Sequence, residues 1–301
     1  MYAPTAMVPS AADEVTAYLA EQHQFYPHLA TRDGLHAYDG RAPDFSRAAI
    51  RHRVAALELW GRRLCAAYPD LTTLMTATPL PSQEAADLAL VEYARVYELF
   101  RWRDWRLYET DPCFYQSALD VSLYVKRPYA PLAERLAALT RHLACVPDVL
   151  AAARANLRVP LSRPATEQAM RAYTALGEYY TTGLLAVCQD MPADRTTRDA
   201  LYRAVTTAAA AIEEFIAYLR EQLAEPGGEF RLGTETLTEM IRSGELVDIP
   251  LQRLRALALA DLAANRARAE ELAGRLGLSL AEAFGNRGRE RSPECDILVA
   301  A

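Results

Sequence analysis

One short segment, His36-Ala-Tyr-Asp39, combines a histidine with a carboxylate at a spacing that can do chemistry. Glycine and proline around it indicate a loop between two helices, and Asp33 and Asp44 lie close by in sequence. A loop histidine with neighbouring carboxylates can line a polar cleft. The alternative, which ordinary turn chemistry favours, is that Asp33 and Asp39 form Asx turns while His36 packs at the surface.

Aromatic and basic residues alternate in a second segment, Arg101-Trp-Arg-Asp-Trp105-Arg106. Such interleaving can bind bases or sugars by stacking. It is more often typical of tryptophans seated in a core with arginines directed outward. A third group, Tyr173, Tyr179 and Tyr180, has two similar interpretations: the wall of a small-molecule pocket or, as the spacing favours, part of a helical core.

Complete catalytic and metal-binding motifs are absent from the sequence. A zinc-protease helix needs His-Glu-x-x-His, and none of the five histidines is followed by glutamate. None has glutamate three positions before it, which excludes the Glu-x-x-His pattern of di-iron bundles. There is no Gly-x-Ser-x-Gly elbow and no glycine-rich phosphate loop. We therefore predict neither a catalytic residue nor a metal ligand in this chain.

Prolines and capping residues divide the chain into the helices that must position these side chains. Ser10, Ser46 and Ser82 are predicted to begin helices, and Pro131 and Pro147 each occupy a first-turn position. Apolar residues recur near a period of 3.6, and no alternation typical of strands exceeds four residues. The fold class predicted is all-α, an irregular multi-helix bundle of about nine or ten helices. The longest predicted helices span residues 165–189, 196–224 and 250–276.

Chain length and net charge limit the domain organisation and the class of partner that we expect. The chain has 301 residues, so we expect a single helical domain over 1–285, or two subdomains over 1–160 and 161–285. Residues 286–301 lack a helical period and are expected to form an irregular tail. A net charge of -6 and an isoelectric point near 5.5 argue against a nucleic-acid partner.

The expected localisation follows from three further patterns. The N-terminus lacks the basic and apolar regions of a signal peptide. A stretch of about 18 apolar residues without a charge is the sequence signal of a transmembrane helix, and we find no such stretch in the chain. The five cysteines are dispersed without a Cys-x-x-Cys pair, which predicts buried thiols in a reducing compartment. We expect a cytoplasmic protein without a membrane partner.

Several segments, none strong alone, occur in an order and spacing that argue against chance. They are Tyr26-Pro-His-Leu-Ala-Thr-Arg-Asp-Gly-Leu-His36-Ala-Tyr-Asp39 with Pro43-Asp-Phe-Ser46, Trp105 with Asp111-Pro-x-x-Tyr115, Arg127-Pro-Tyr-Ala-Pro131 with Val146-Pro147 and Asn156-Leu157, and Phe230-Arg-Leu-Gly233 with Asp261-Leu-Ala-Ala-Asn265. Across residues 20 to 275 this set resembles the bacterial domain-of-unknown-function family 885.

The resemblance implies an all-helical fold similar to gluzincin-type metallopeptidases. Family members are usually twice this length, and their zinc-binding His-Glu segment lies in the back half. This chain resembles the N-terminal half only, so no family metal ligand or catalytic glutamate can be carried onto one of its residues. Zinc is therefore expected only with a C-terminal half, and we expect no cofactor in this chain.

Two functions remain open on these grounds. The first is the front part of a family-885 metallopeptidase-like hydrolase, inactive alone. Its helices would form one wall of a substrate cleft, with His36, Tyr38, Asp39 and Trp105 as candidate lining residues. The second is a helical interaction or regulatory module that forms a homo-oligomer or pairs with a separately encoded C-terminal half through an exposed apolar surface.

Overall fold

The fold is all-α, which confirms the predicted class. A computed structural model describes four stretches of the chain, residues 10–74, 82–186, 194–224 and 227–283. Within these stretches no strand occurs, and nine helices have seven or more residues. The chain divides into two compact units, residues 1–246 and 247–301. The expected tail, residues 286–301, lies outside the described residues.

Seven helices form the first part of the first unit. They are α1 Ala11–Phe25, α2 Pro27–Arg32, α3 Arg47–Ala67, α4 Leu71–Leu74, α5 Gln83–Leu99, α6 Leu107–Thr110 and α7 Ser122–Lys126. Ser10, Ser46 and Ser82 cap α1, α3 and α5, because each side chain accepts a hydrogen bond from the backbone N–H three residues later. The three predicted helix starts are therefore confirmed, and α1 and α3 both pack against α5.

Four longer helices complete this unit. They are α8 Leu132–Asn156, α9 Arg163–Glu178, α10 Arg195–Ala224 and α11 Gly233–Glu245. α8 and α9 both pack against α10, and α11 packs against α5. Two π-helical segments, Phe100–Asp104 and Tyr179–Leu184, directly follow α5 and α9, and two 3-10 segments span His36–Tyr38 and Pro112–Leu119.

The central helix α8 corrects one expectation. Pro147 was expected to begin a new helix, but it lies inside α8, which continues unbroken from Leu132 to Asn156. An internal proline costs roughly 3 kcal/mol through its missing N–H and its clash with the preceding turn. Eleven residues of α8 are buried, and we attribute the continuity of the helix to this burial, which offsets the cost of the proline.

The length and apolar character of α8 would also suffice to cross a membrane, and it is the one such helix among the described residues. Half of its most apolar window is buried inside the protein. Helices at the centre of a folded core share this composition, so the finding is weak evidence for a membrane span.

The cysteines differ from the expected buried thiols. Cys65 is exposed, whereas Cys113 and Cys145 are half-buried, and all three are free. Cys65 lies on the solvent side of α3, whose other face carries the apolar residues that enter the core. Cys188 and Cys295 lie outside the described residues.

The second unit contains α12 Leu251–Arg275 and α13 Leu280–Ala283. Pro250 directly precedes α12, and Gly277 follows it with a φ of 70°, a left-handed conformation that glycine adopts without strain. Both ends of this helix therefore agree with the sequence prediction. Along the whole of α12 only Ala273 is buried.

A buried ion pair joins the helices of the first unit. The Arg53 side chain on α3 is 1% exposed, and Glu98 at the end of α5 is 10% exposed. Arg53 donates through Nε to Glu98 Oε1 and through Nη2 to Glu98 Oε2, both at 2.8 Å. Its third nitrogen, Nη1, donates to Glu21 on α1 at 2.9 Å. One guanidinium thus connects three helices.

Three further donors complete the coordination of the Glu98 carboxylate. The Tyr26 hydroxyl donates to Oε1 at 2.8 Å, the Trp102 indole to Oε1 at 3.2 Å, and the Gln22 amide to Oε2 at 2.6 Å. Burial lowers the pKa of Arg53, but the hydrogen bonds and charge of Glu98 outweigh it and raise that pKa overall. The arginine therefore remains charged inside the core.

Removing Glu98 should destabilise the protein strongly. We expect Glu98→Gln to lower the free energy of unfolding by about 3 kcal/mol, because it leaves a buried guanidinium without its main counter-charge. The double variant Arg53→Met with Glu98→Met should lose less than Glu98→Gln alone, since neither charge remains buried. Urea unfolding followed by circular dichroism measures both.

The control is Arg103→Gln, which removes an ion pair of a half-exposed arginine with Asp104. We expect only a small change there, because exposed pairs contribute little. An unfolding midpoint for Glu98→Gln equal to that of the wild type would contradict the structural role of the pair.

Candidate functional site

The segment His36-Ala-Tyr-Asp39 folds into a single 3-10 turn that brings in a distant tyrosine. His36 Nδ1 lies 3.3 Å from Asp39 Oδ1, and the Tyr129 hydroxyl donates to Asp39 Oδ2 at 2.7 Å. The His36 and Tyr129 rings stack in parallel with their centroids 3.7 Å apart. We call His36, Asp39 and Tyr129 the Asp39 cluster.

The Asp39 cluster can hold a proton at a defined atom. A carboxylate only accepts hydrogen bonds, so in its contact with Asp39 the proton lies on Nδ1 of His36. The Asp39 side chain is 11% exposed and His36 is 38% exposed, so the histidine is open to solvent while its partner is largely covered. Burial, together with the hydrogen bond to Asp39, raises the pKa of Tyr129 well above its usual range. The arrangement resembles the orienting half of an acid–base site.

Tyr38 and Trp105, the two other candidate lining residues, contact other parts of the protein. The Tyr38 ring lies 6.1 Å from the ring of His23, and the Arg41 guanidinium lies 5.7 Å from its centroid. Trp105 is half-buried, and its ring lies 6.1 Å from that of Phe100. In the described part of the chain, neither Tyr38 nor Trp105 shares a hydrogen bond or ring contact with the Asp39 cluster. The structure thus brings His36 and Asp39 together but not Trp105.

The aromatic segments belong to the core. Trp102 is 2% exposed, and its indole bonds Tyr26 and Glu98. Tyr173 and Tyr180 are fully buried, and their hydroxyls donate to backbone carbonyls of the Pro112–Leu119 segment at 2.9 and 2.6 Å. The hydroxyls of Tyr173 and Tyr180 are thus used within the core, as the helical-core interpretation predicts.

The residues present do not suit a catalytic zinc ion. Within the four described stretches no group of three or more His, Cys, Asp or Glu is placed to hold a metal. The Asp39 cluster offers one imidazole and one carboxylate, and the second carboxylate oxygen already accepts a hydrogen bond from Tyr129. Catalytic zinc sites use three protein ligands, so this donor set falls short.

A cavity of about 300 Å³ adjoins the Asp39 cluster. Gly40, which follows Asp39, donates its backbone N–H at 2.9 Å to the hydroxyl of Tyr124, which lines the cavity. Gly40 has a φ of 79°, and a Cβ there would lie 2.9 Å from the Ala138 carbonyl oxygen, so glycine permits this approach.

Two histidines form the cavity floor. The Tyr124 hydroxyl donates to Nδ1 of His142 at 3.1 Å, and Nε2 of His142 donates to the Ala118 carbonyl at 2.9 Å. Burial lowers the pKa of His142. Burial, then the nearby His142 and Arg32, lowers the pKa of His28 to about 3. Both rings are therefore neutral near neutral pH.

A family model described as a bacterial protein of unknown function, DUF885, matches residues 27–293. The chain belongs to this family. Among curated proteins, none matches the sequence. The DUF885 match spans all the segments on which the resemblance rests, apart from Tyr26, and includes both the Asp39 cluster and the adjoining cavity.

The fold of this chain is similar to that of a solved structure from Shewanella oneidensis, described as a candidate lipoprotein of unknown function. The two share 18% identity with a TM-score of 0.71, and the likeness covers 97% of this chain and 51% of that one. This chain therefore spans about half the length of the structure it matches, and at this identity the likeness shows the fold alone.

Sequence reasoning missed Tyr129 as a partner of the candidate site. It lies 90 residues after Asp39, and no local pattern links the two. The available signal was its position in Arg127-Pro-Tyr-Ala-Pro131, one of the segments that resemble the DUF885 family.

The lowered pKa of His28 on the cavity floor predicts that the stability of the protein depends on pH. The unfolded chain binds a proton at His28 near pH 6.5, whereas the folded chain does so only near pH 3, where the pKa of His28 lies. Between these values the unfolded state holds more protons, so the free energy of unfolding falls as the pH falls. His28→Phe should flatten this slope by up to ~1.4 kcal/mol per pH unit.

Urea unfolding at pH 7 and pH 5 measures the slope, with His52→Phe, an exposed histidine, as the control. Identical slopes for the wild type and His28→Phe would show that His28 is protonated equally in the folded and unfolded states, and would contradict the lowered pKa of this histidine.

Proposed function

We propose that this chain is the helical scaffold half of a DUF885 metallopeptidase-like hydrolase, and that α12 docks it onto a second, catalytic half. The second half is supplied by the same polypeptide or by a separate one. In this proposal the helices of the first unit form one wall of a substrate cleft, and the Asp39 cluster lies in that wall. The metal ligands belong to the second half in this proposal.

The observation that carries the proposal is the exposed apolar face of α12. Leu251, Leu254, Ala258, Leu262, Ala269 and Leu272 recur at helical spacing, and together we call them the α12 stripe. Leu262 is 59% exposed and Leu272 is 49% exposed, Ala258 is also exposed, and the other three members are half-buried. Among the described residues of its own unit, this helix has only the four-residue α13 beside it, which is too short to cover the stripe.

Two facts support a second half as the occupant. The solved structure from Shewanella oneidensis is about twice as long as the part that this chain matches. An exposed stripe of leucines also marks an interaction surface in folded proteins. The hydrolase activity itself rests on the family resemblance in sequence and on the proton-holding geometry of His36 and Asp39.

The alternative is a regulatory module that associates with itself through the same stripe. Leu257, Leu259 and Leu276 are also exposed on α12 or directly after it, so two copies could bury apolar area from both helices. Self-association and docking onto a second half would use the same surface. The zinc content and turnover of the pure chain answer a different question, whether it is a hydrolase half or a complete enzyme.

Sedimentation velocity tests the stripe directly. We expect the chain to associate as its concentration rises, and Leu262→Glu to abolish this association by placing a charge in the stripe. The control is Arg253→Glu, which places the same charge on the opposite face of α12, at an exposed position. A clean monomer at high concentration would contradict self-association through the stripe.

Metal analysis and a peptidase assay on the pure chain test its proposed catalytic incompleteness. We expect no stoichiometric zinc and no turnover of a casein-derived peptide mixture, because the chain offers fewer than three zinc ligands at the Asp39 cluster. Stoichiometric zinc with turnover would mean that the chain is a complete enzyme and would overturn the proposal.

A further inference from the structure

The cavity beside the Asp39 cluster has a basic mouth. Arg32 at the end of α2 and the pair Lys126 and Arg127 at the end of α7 line it, against one carboxylate among the described lining residues, Asp120. Lys126 is the only lysine in a chain whose net charge is -6. This concentration of positive charge is therefore local and opposes the charge of the whole chain.

The cations at this mouth are poorly matched by protein carboxylates. Among the described residues neither Lys126 nor Arg127 forms an ion pair, and Arg127 donates only a 3.5 Å hydrogen bond to the backbone carbonyl of Arg32. Arg32 reaches only its exposed neighbour Asp33, at 3.4 Å. Asp120 is also engaged, since it accepts the Ser122 backbone N–H at 2.9 Å. Like charges held together without an anion repel each other.

The floor of the cavity is polar and uncharged, in contrast to its basic mouth. His142 and Tyr124 use their polar atoms on protein partners, but Nδ1 of His28 is buried and has no hydrogen-bond partner. A buried nitrogen without a partner costs free energy, which a bound ligand or water recovers. The volume of about 300 Å³ is at the lower end of the range for small-molecule sites.

We propose that this cavity binds a small phosphate monoester, whose phosphate lies among Arg32, Lys126 and Arg127 and whose hydroxylated body reaches Nδ1 of His28. Arginine side chains bind phosphate oxygens through paired N–H donors, and lysine adds a compact charge. The neutral imidazole suits an uncharged hydroxyl. The site is independent of α12 and of any hydrolase activity.

Calorimetric titration of the full chain tests the site, with glycerol 3-phosphate and inorganic phosphate as probes at constant ionic strength. We expect glycerol 3-phosphate to bind more tightly than inorganic phosphate. The double variant Lys126→Gln with Arg127→Gln should weaken binding of both at least tenfold. Both side chains are exposed, so the variant is expected to fold.

Two further variants sharpen the result. Arg51→Gln removes one exposed positive charge that does not line the cavity and should leave both affinities unchanged. His28→Phe should abolish the preference for glycerol 3-phosphate over inorganic phosphate and leave the affinity for inorganic phosphate nearly constant. No heat of binding above that of a chloride control, or equal losses in Arg51→Gln and the double variant, would overturn the proposal.

Discussion

The charge of Arg53 is buried in the middle of the first unit, and the surrounding helices are arranged so that it is compensated. Moving a guanidinium out of water costs several kcal/mol, which is recovered only when its donors meet well-placed acceptors. The Glu98 carboxylate meets two of them, and Glu21 meets the third. Because these partners lie on α1 and α5, the pair fixes how α1, α3 and α5 meet.

The same constraint shapes the chain that follows Glu98. The π-helical segment Phe100–Asp104 continues α5 and carries Trp102, whose indole bonds both the Tyr26 hydroxyl and Glu98. Tyr26 stands at the junction of α1 and α2, so the network also positions the start of α2. α2 ends at Arg32 and leads into the turn that holds His36 and Asp39. The candidate site therefore depends on a core interaction to which it contributes no residue.

Local chemistry made the helices predictable. Serine side chains that accept N–H bonds, and prolines that cannot continue a helix, act within a few residues, so the starts at Ser10, Ser46 and Ser82 follow from sequence. Pro147 misled the prediction, because burial along α8 is set by the whole unit and not by nearby residues. The same local logic identified His36 and Asp39 as neighbours.

Pairings across the fold lay beyond that logic. Arg53 and Glu98 are 45 residues apart, and Asp39 and Tyr129 are 90 residues apart, so neither pair leaves a periodic signal. Trp105, a candidate lining residue, packs beside Phe100, and no local pattern placed it relative to His36 and Asp39. Residue types indicate which chemistry is available, whereas packing decides which groups meet.

The second unit differs from the first in how it buries apolar area. Eleven residues of α8 in the first unit are buried. Only one residue is buried in α12 of the second unit, a helix of similar length. An isolated helix in water is marginal unless an amphipathic face is covered. We therefore infer that α12 depends on a partner that the first unit does not need.

Amide hydrogen exchange of the intact chain in dilute solution tests this dependence most directly. We predict that amides in α12 exchange at least ~100-fold faster than those in α8, and that they slow when a partner or a second copy covers the stripe. Protection of α12 equal to that of α8 in a dilute monomer would contradict the dependence, because the leucines of α12 would then already be covered.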